Sequence, residues 1–176
     1  GGEQFEQAYS DLLIATGARA IEPPFDGLDL SGVFTLRSMD EADTIETYVA
    51  EHEPATATIV GGGYVGIEMA EALAEHDIDV SIFEMLPRTL QPFGRETART
   101  VEDHLREQSV DIHLETAVEG FAGEERVETV EVADGTVLAD LVIVGVGVAP
   151  NVELAEQAGL DLGPTGAIAT DEYGLT

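Results

Sequence analysis

The stretch Gly61-Gly62-Gly63-Tyr64-Val65-Gly66 is the part of this sequence whose residue types and spacing best fit chemistry on a ligand. Gly61, Gly63 and Gly66 form a G-x-G-x-x-G pattern directly after the apolar run Thr58-Ile-Val60 and directly before a helical pattern. Each glycine has its own physical task in such a turn. Gly61 permits the tight bend, Gly63 lets bare backbone approach a pyrophosphate, and Gly66 lets helix and strand pack closely. Unpaired N–H groups at the helix start, with about half a unit of positive dipole charge, then face the phosphates. Glu84 closes the next apolar run, about 20 residues further on, where a carboxylate can accept hydrogen bonds from the ribose 2′-hydroxyl of the adenosine half. A 2′-phosphate there would meet that carboxylate, so NAD(H) is expected in preference to NADP(H). Arg88 works against the preference, because it is close enough in sequence to reach a phosphate.

Three further features are candidates for the same site. Tyr64 begins the helix, where an aromatic ring either covers a nicotinamide or simply packs. Glu68, four residues on, shares its side of the helix; it faces a polar cleft or it faces solvent. Gly145-Val146-Gly147 follows the last apolar run. Ligands of open parallel sheets bind beyond the carboxyl ends of the strands, so this loop is either a floor for the nicotinamide side or an ordinary loop. The expected cofactor-binding set is therefore Gly61, Gly62, Gly63, Tyr64, Val65, Gly66, Glu68, Glu84, Arg88, Gly145, Val146 and Gly147.

Other chemistries lack their residues. His52, His76, His104 and His113 are scattered without metal-ligand spacing, so no metal site is expected. There is no G-x-S-x-G elbow and no G-x-x-x-x-G-K-[ST] loop. With no cysteine, the chain can perform no thiol step of its own. Acidic pairs such as Glu102-Asp103 read as solvated surface rather than paired catalytic carboxylates.

Around these positions the elements alternate. Tyr9 to Gly17 reads as a short buried strand ending in a glycine turn, and Val33-Phe34 as a possible short strand. Ser38 with Glu41 makes a capping-box pattern for a helix ending before Pro54. A strand at 58–60, a helix at 64–76, a strand at 80–83, a helix at 94–108 and a strand at 110–114 follow. Residues 116–121 and 125–132 suggest an antiparallel excursion, and 139–144 a final buried strand. The fold class expected is α/β: a Rossmann-like βαβ nucleotide-binding unit with a mostly parallel central sheet.

Charge bounds the partners. The chain has 36 acidic and 7 basic side chains among 176 residues, a net charge of −29, with the acids spread along its length. Such a surface repels phosphate backbones, so nucleic acid is excluded as a partner. No apolar run approaches the length of a membrane span, and the first residues do not form a secretory signal. Self-repulsion on this scale calls for screening, which points to a cytoplasm of very high ionic strength, as in a halophile.

Taken together, several motifs resemble the FAD-dependent pyridine nucleotide–disulfide oxidoreductases, nearest the coenzyme A-disulfide reductase, NADH oxidase and NADH peroxidase branch. They are Tyr9-Ser-Asp-Leu-Leu-Ile-Ala-Thr-Gly17, Gly32-Val-Phe-Thr-Leu36, Ile59 through Ala70, Asp140-Leu-Val-Ile-Val144, Gly147-Val-Ala-Pro-Asn151 and Gly166-Ala-Ile-Ala-Thr-Asp-Glu-Tyr173. The resemblance implies an FAD domain interrupted by a nicotinamide domain. Residues 1–24 would end the first FAD segment, 25–148 form the NAD(H) domain and 149–176 begin the return, in an excised or truncated chain.

By the same resemblance Tyr64 closes over the flavin and moves aside for nicotinamide. Glu68 lies near the flavin–nicotinamide junction, and Gly147 near the nicotinamide. The implied whole enzyme is a homodimer passing hydride from NAD(P)H to FAD and on to a small-molecule acceptor, a disulfide such as coenzyme A disulfide, oxygen or peroxide. This chain alone is expected to be inactive. Alternatives are the nicotinamide domain of a ferredoxin-type or nitrite-type flavoprotein reductase, or a non-catalytic nucleotide sensor.

Overall fold

The computed structural model describes residues 6–176. In chain order the strands and helices are β1 (Ala18–Ala20), β2 (Val33–Thr35), α1 (Met39–His52), β3 (Thr56–Val60), α2 (Tyr64–Ala74), β4 (Asp79–Phe83), α3 (Arg95–Glu107), β5 (Asp111–His113), β6 (Val118–Ala122), β7 (Thr129–Val132), β8 (Gly135–Leu138), β9 (Leu141–Val144), β10 (Val148–Pro150) and α4 (Glu153–Gln157). Two compact units result. The larger is Ala20–Val148; the smaller joins the described residues up to Arg19 with Ala149–Thr176.

The larger unit is Rossmann-like. Five strands in the order β2-β9-β3-β4-β5 form its central sheet, and every pairing in it is parallel. The reason lies in the strand sequences. Leu141-Val-Ile-Val144 and Ala57-Thr-Ile-Val60 are buried at every position, as strands covered on both faces must be. Alternate residues point to opposite layers. Ile59, Ile82, Leu141 and Ile143 meet Ile45 and Tyr48 of α1, Ala70 and Leu73 of α2, and Leu105 of α3. Their neighbours Val60, Phe83, Val142 and Val144 meet Val118, Phe121, Val127 and Val130 instead. The second layer is the antiparallel sheet β6-β7-β8. Its third strand, Gly135–Leu138, follows the Asp134-Gly135 turn and extends the expected excursion by one strand.

Polar contacts fix the helix ends and strand register. Ser38 and Glu41 cap α1 reciprocally: the Glu41 N–H donates to Ser38 Oγ, and the Ser38 N–H donates to Glu41 Oε2 at 2.8 Å. Asp140 Oδ2 accepts the Ala55 N–H, the Thr56 N–H and the Thr56 hydroxyl, all at 3.0 Å, which ties the start of β9 to the start of β3. The buried Tyr48 donates its hydroxyl to the Asp140 carbonyl at 3.0 Å. Burial pushes the Tyr48 phenol above its ordinary value of 10.0; the Arg126 charge pulls it down and the Asp140 charge raises it. The neutral form is thus favoured by folding. Its contribution to stability is complete below pH 10 and is lost as pH rises through the folded-state value. Urea midpoints should fall more steeply above pH 10 in the wild type than in Tyr48→Phe, and parallel profiles would assign the alkaline loss to other groups.

The run Tyr9–Gly17 departs from expectation. It forms no strand among the described residues, and Tyr9, Leu12 and Leu13 are exposed at 69%, 62% and 87%. A strand needs a neighbouring ladder, and these residues pair with none. Within the smaller unit the end of this segment is held by Asn151, whose side-chain amide donates to the Thr16 carbonyl at 2.9 Å. Arg19 lies 2.8 Å from Glu153 there.

Candidate functional site

At the carboxyl ends of the adjacent strands β9, β3 and β4 the larger unit opens into a cleft of about 570 Å³. Its walls include Gly61–Val65, Glu84 and Gly145–Val148, so the two glycine clusters and the acid lie around one space. Chain order explains the placement. From β3 the chain moves outward through α2 to β4, whereas β9 returns on the other side of β3, which is where an open α/β sheet leaves a crevice.

The glycine turn is fixed by contacts that demand glycine. Gly61 has φ +103°, and a Cβ there would lie 2.6 Å from the Gly145 carbonyl oxygen. At Gly66 a Cβ would run into the Gly61 carbonyl oxygen. Gly63 is different. A Cβ at that position would meet only the Gly145 oxygen, at 4.0 Å, so its space is left to something other than this chain. Ile67 is the first residue of α2 whose N–H reaches a backbone carbonyl, that of Gly63. The N–H groups of Gly63, Tyr64, Val65 and Gly66 therefore have no backbone acceptor among the described residues, as expected for an open helix start.

Glu84 is buried and lies at the head of this turn. Its Oε2 accepts the Gly62 N–H at 2.7 Å and its Oε1 accepts the Leu86 N–H at 2.8 Å. The carboxylate thus braces the turn while lining the cleft. Tyr64 is 57% exposed and meets Phe93 edge-on, ring centroids 5.6 Å apart. Gly145 donates its N–H to Val60 at 2.8 Å, and Gly147 has φ +122°.

Three expected site residues do not line the cleft: Gly66 is buried against Gly61 within the turn, and Arg88 and Glu68 lie elsewhere. Arg88 is not among the cleft residues; its Nη2 donates to the Gln91 carbonyl at 2.9 Å and its side chain lines a separate pocket with Arg95, Arg99 and Arg106. Glu68 is exposed and also outside the cleft wall. Among the described residues no group of three or more histidine or acidic side chains is positioned to hold a metal, and no helix is long and apolar enough to cross a membrane.

One functional residue reverses its sequence reading. Glu102, expected as solvated surface, is buried at 7% exposure. Its Oε1 accepts both the Thr89 N–H, at 3.0 Å, and the Thr89 hydroxyl, at 3.1 Å. Thr89 is fully buried against Gly62, and the next residue, Leu90, donates its N–H to the Gly62 carbonyl at 2.8 Å. Glu102 therefore holds the segment that backs the glycine turn. The signal was its spacing: Ala98, Glu102 and Leu105 share the buried stripe of α3. Glu102→Ala is expected to cost about 2 kcal/mol, since two bonds to a charged acceptor vanish and the Thr89 donors are left buried. Chemical denaturation would measure it, and an unchanged midpoint would make the contact incidental.

The profile of the pyridine nucleotide-disulphide oxidoreductase family matches residues 1–176. The chain belongs to this family. Among its relatives, an NAD(P)H coenzyme A polysulfide/persulfide reductase of Pyrococcus horikoshii is 39% identical over 98% of this chain and 38% of its own length. An NADH oxidase of Methanocaldococcus jannaschii is 37% identical over 92% of this chain and 36% of its own. Among solved structures, an NAD-dependent persulfide reductase from A. fulgidus superposes with a TM-score of 0.84 at 42% identity, covering 89% of this chain and 29% of that one. The chain thus spans less than two-fifths of the length of these two curated relatives. Its Rossmann-like unit is the family's NAD(P)H-binding domain.

Proposed function

We propose that the cleft binds NAD(H) and that in the whole protein this domain presents the nicotinamide to an FAD. The observation that carries the reading is the pairing of the Gly63, Tyr64 and Val65 N–H groups at the start of α2, which have no backbone acceptor among the described residues, with the Glu84 carboxylate on the same cleft wall. The amides at Gly63 to Val65 receive the pyrophosphate, and the open face of Gly63 admits it. Glu84 accepts the adenosine ribose hydroxyls and disfavours a 2′-phosphate, which selects NADH over NADPH. Gly145, Val146 and Gly147 floor the nicotinamide end, with Tyr64 above it and Glu68 directed to the flavin side of the junction. Bound NADH supplies the hydride; the residues here orient it and exclude water.

On this reading residues up to 24 and from 149 are drawn from the FAD domain of a homodimer. Residues 20–24 nevertheless lie within the larger compact unit, where the Ile21 N–H donates to the Gly147 carbonyl at 3.0 Å. The proposed acceptor is a small disulfide or persulfide, because relatives named for that chemistry reach 39% identity, against 33% for a nitrite reductase. The chain by itself carries no thiol for that step. The test has two arms. Calorimetry on the chain should give saturable NADH binding, tighter than NADPH. In the whole protein NADH should bleach the flavin absorbance, with turnover on a disulfide. NADH binding without flavin reduction would leave a nucleotide sensor and end the enzyme reading.

The net charge of −29 supports a further proposal, a cytoplasm of high salt. Melting temperature should climb as potassium chloride rises to the molar range, and a flat profile would dismiss it.

A further inference from the structure

The chain has seven basic side chains, all arginines, against 36 acids. Four of the seven, Arg88, Arg95, Arg99 and Arg106, line one pocket of about 400 Å³ on the solvent side of α3, together with Pro87, Glu102 and Asp103. Arg95, Arg99, Asp103 and Arg106 fall on the exposed face of the helix, bordering the buried Glu102, and Arg88 enters from the loop before it. In a molecule this acidic, four guanidinium groups gathered in one place call for a specific explanation.

The acids within the pocket are already engaged. Glu102 gives Oε1 to Thr89 and places Oε2 4.0 Å from Arg106. Asp103 pairs with Arg106 at 3.4 Å and with Arg99 at 3.8 Å. Arg88 and Arg95 have no carboxylate partner among the described residues. Arg88 is the decisive member. Its Nε is buried and unbonded, and among the described residues the only hydrogen bond of its guanidinium runs from Nη2 to the Gln91 carbonyl. A buried guanidinium nitrogen left without an acceptor on a half-buried side chain is costly unless a further acceptor completes it. The four arginines exceed the two acids by two positive charges.

We propose that this pocket is an oxyanion site for a phosphate dianion, separate from the dinucleotide cleft and opening from α3. Arginine forks match the planar pairs of oxygens on such an anion. The dianion would balance the surplus charge and hold Arg88 in place. The pocket shares no residue with the cleft. The inference therefore does not depend on NAD(H) binding.

The test is a titration of the chain with inorganic phosphate, read by calorimetry and by 31P line width, with chloride at matched ionic strength as reference. Glycerol phosphate forms a parallel arm: tighter binding of the ester assigns a phosphomonoester as the ligand, and equal binding assigns the free ion. Saturable phosphate binding that chloride does not reproduce is expected. The double variant Arg95→Gln/Arg99→Gln should weaken it at least tenfold while leaving NADH affinity unchanged. Arg88→Gln should abolish it, and a melting curve on each variant separates lost binding from lost folding. Phosphate and chloride behaving alike would overturn the proposal, as would wild-type affinity in the double variant. Displacement of phosphate by NADH would also overturn it, because the anion would then sit on the glycine turn.

Discussion

Glu84→Ala should weaken NADH binding about 100-fold while leaving NADPH binding little changed, so that the preference between the two cofactors collapses. The carboxylate is buried on the cleft wall at the end of β4, with its two oxygens turned to the Gly62 and Leu86 N–H groups. Each oxygen retains further acceptor capacity for a ribose hydroxyl. A hydrogen bond to a charged group contributes about 1.5–3 kcal/mol, and a 100-fold loss corresponds to about 2.8 kcal/mol. Bracing complicates the outcome, because the variant also strands two backbone donors at about 1–3 kcal/mol each. A bracing effect weakens both cofactors alike, whereas recognition of the 2′-hydroxyl changes their ratio. Dissociation constants for NADH and NADPH measured side by side decide between them. Equal losses for both would mean that Glu84 shapes the turn without reading the ribose.

Gly61→Val should cost about 3 kcal/mol of stability and reduce NADH affinity at least 100-fold. A β-branched residue at φ +103° is strained by about 1–3 kcal/mol. Its Cβ would also sit 2.6 Å from the Gly145 oxygen, so both glycine loops must move. Gly63→Ala is the informative partner, since a methyl group there meets only an oxygen at 4.0 Å. It should melt with the wild type yet lose NADH affinity, because the methyl occupies the space through which a pyrophosphate approaches. Denaturant melts and NADH titrations on the two variants check both halves. If Gly63→Ala bound NADH normally, the pyrophosphate would have to lie away from this turn.

Particular elements explain why some of this was legible in the sequence. α1 could be read because its signals are local: Ser38 and Glu41 satisfy one another's backbone across three residues, whatever lies further away. Likewise the turn from Val60 to Gly66 is encoded by adjacent residues. The five-strand sheet was foreshadowed by short, mostly apolar runs alternating with helical patterns. The run Tyr9–Gly17 was misread because apolar composition alone does not supply a neighbouring strand. Arg88 stands four residues after Glu84 in sequence, yet its side chain turns into the α3 pocket. Glu102 was misread for a related cause: charge suggested solvent, but the partner that draws it inward is Thr89, thirteen residues away across a loop.

By itself, then, the sequence determined the kind of turn, the acid that follows it and the strand–helix alternation, since each depends on contacts between residues a few positions apart. Only the tertiary structure decided that Gly145 closes on Gly61, that Glu102 backs the turn through Thr89 and that four arginines gather on α3. Those outcomes depend on how the parallel sheet brings distant segments together, and side-chain direction there is set by packing rather than by local preference.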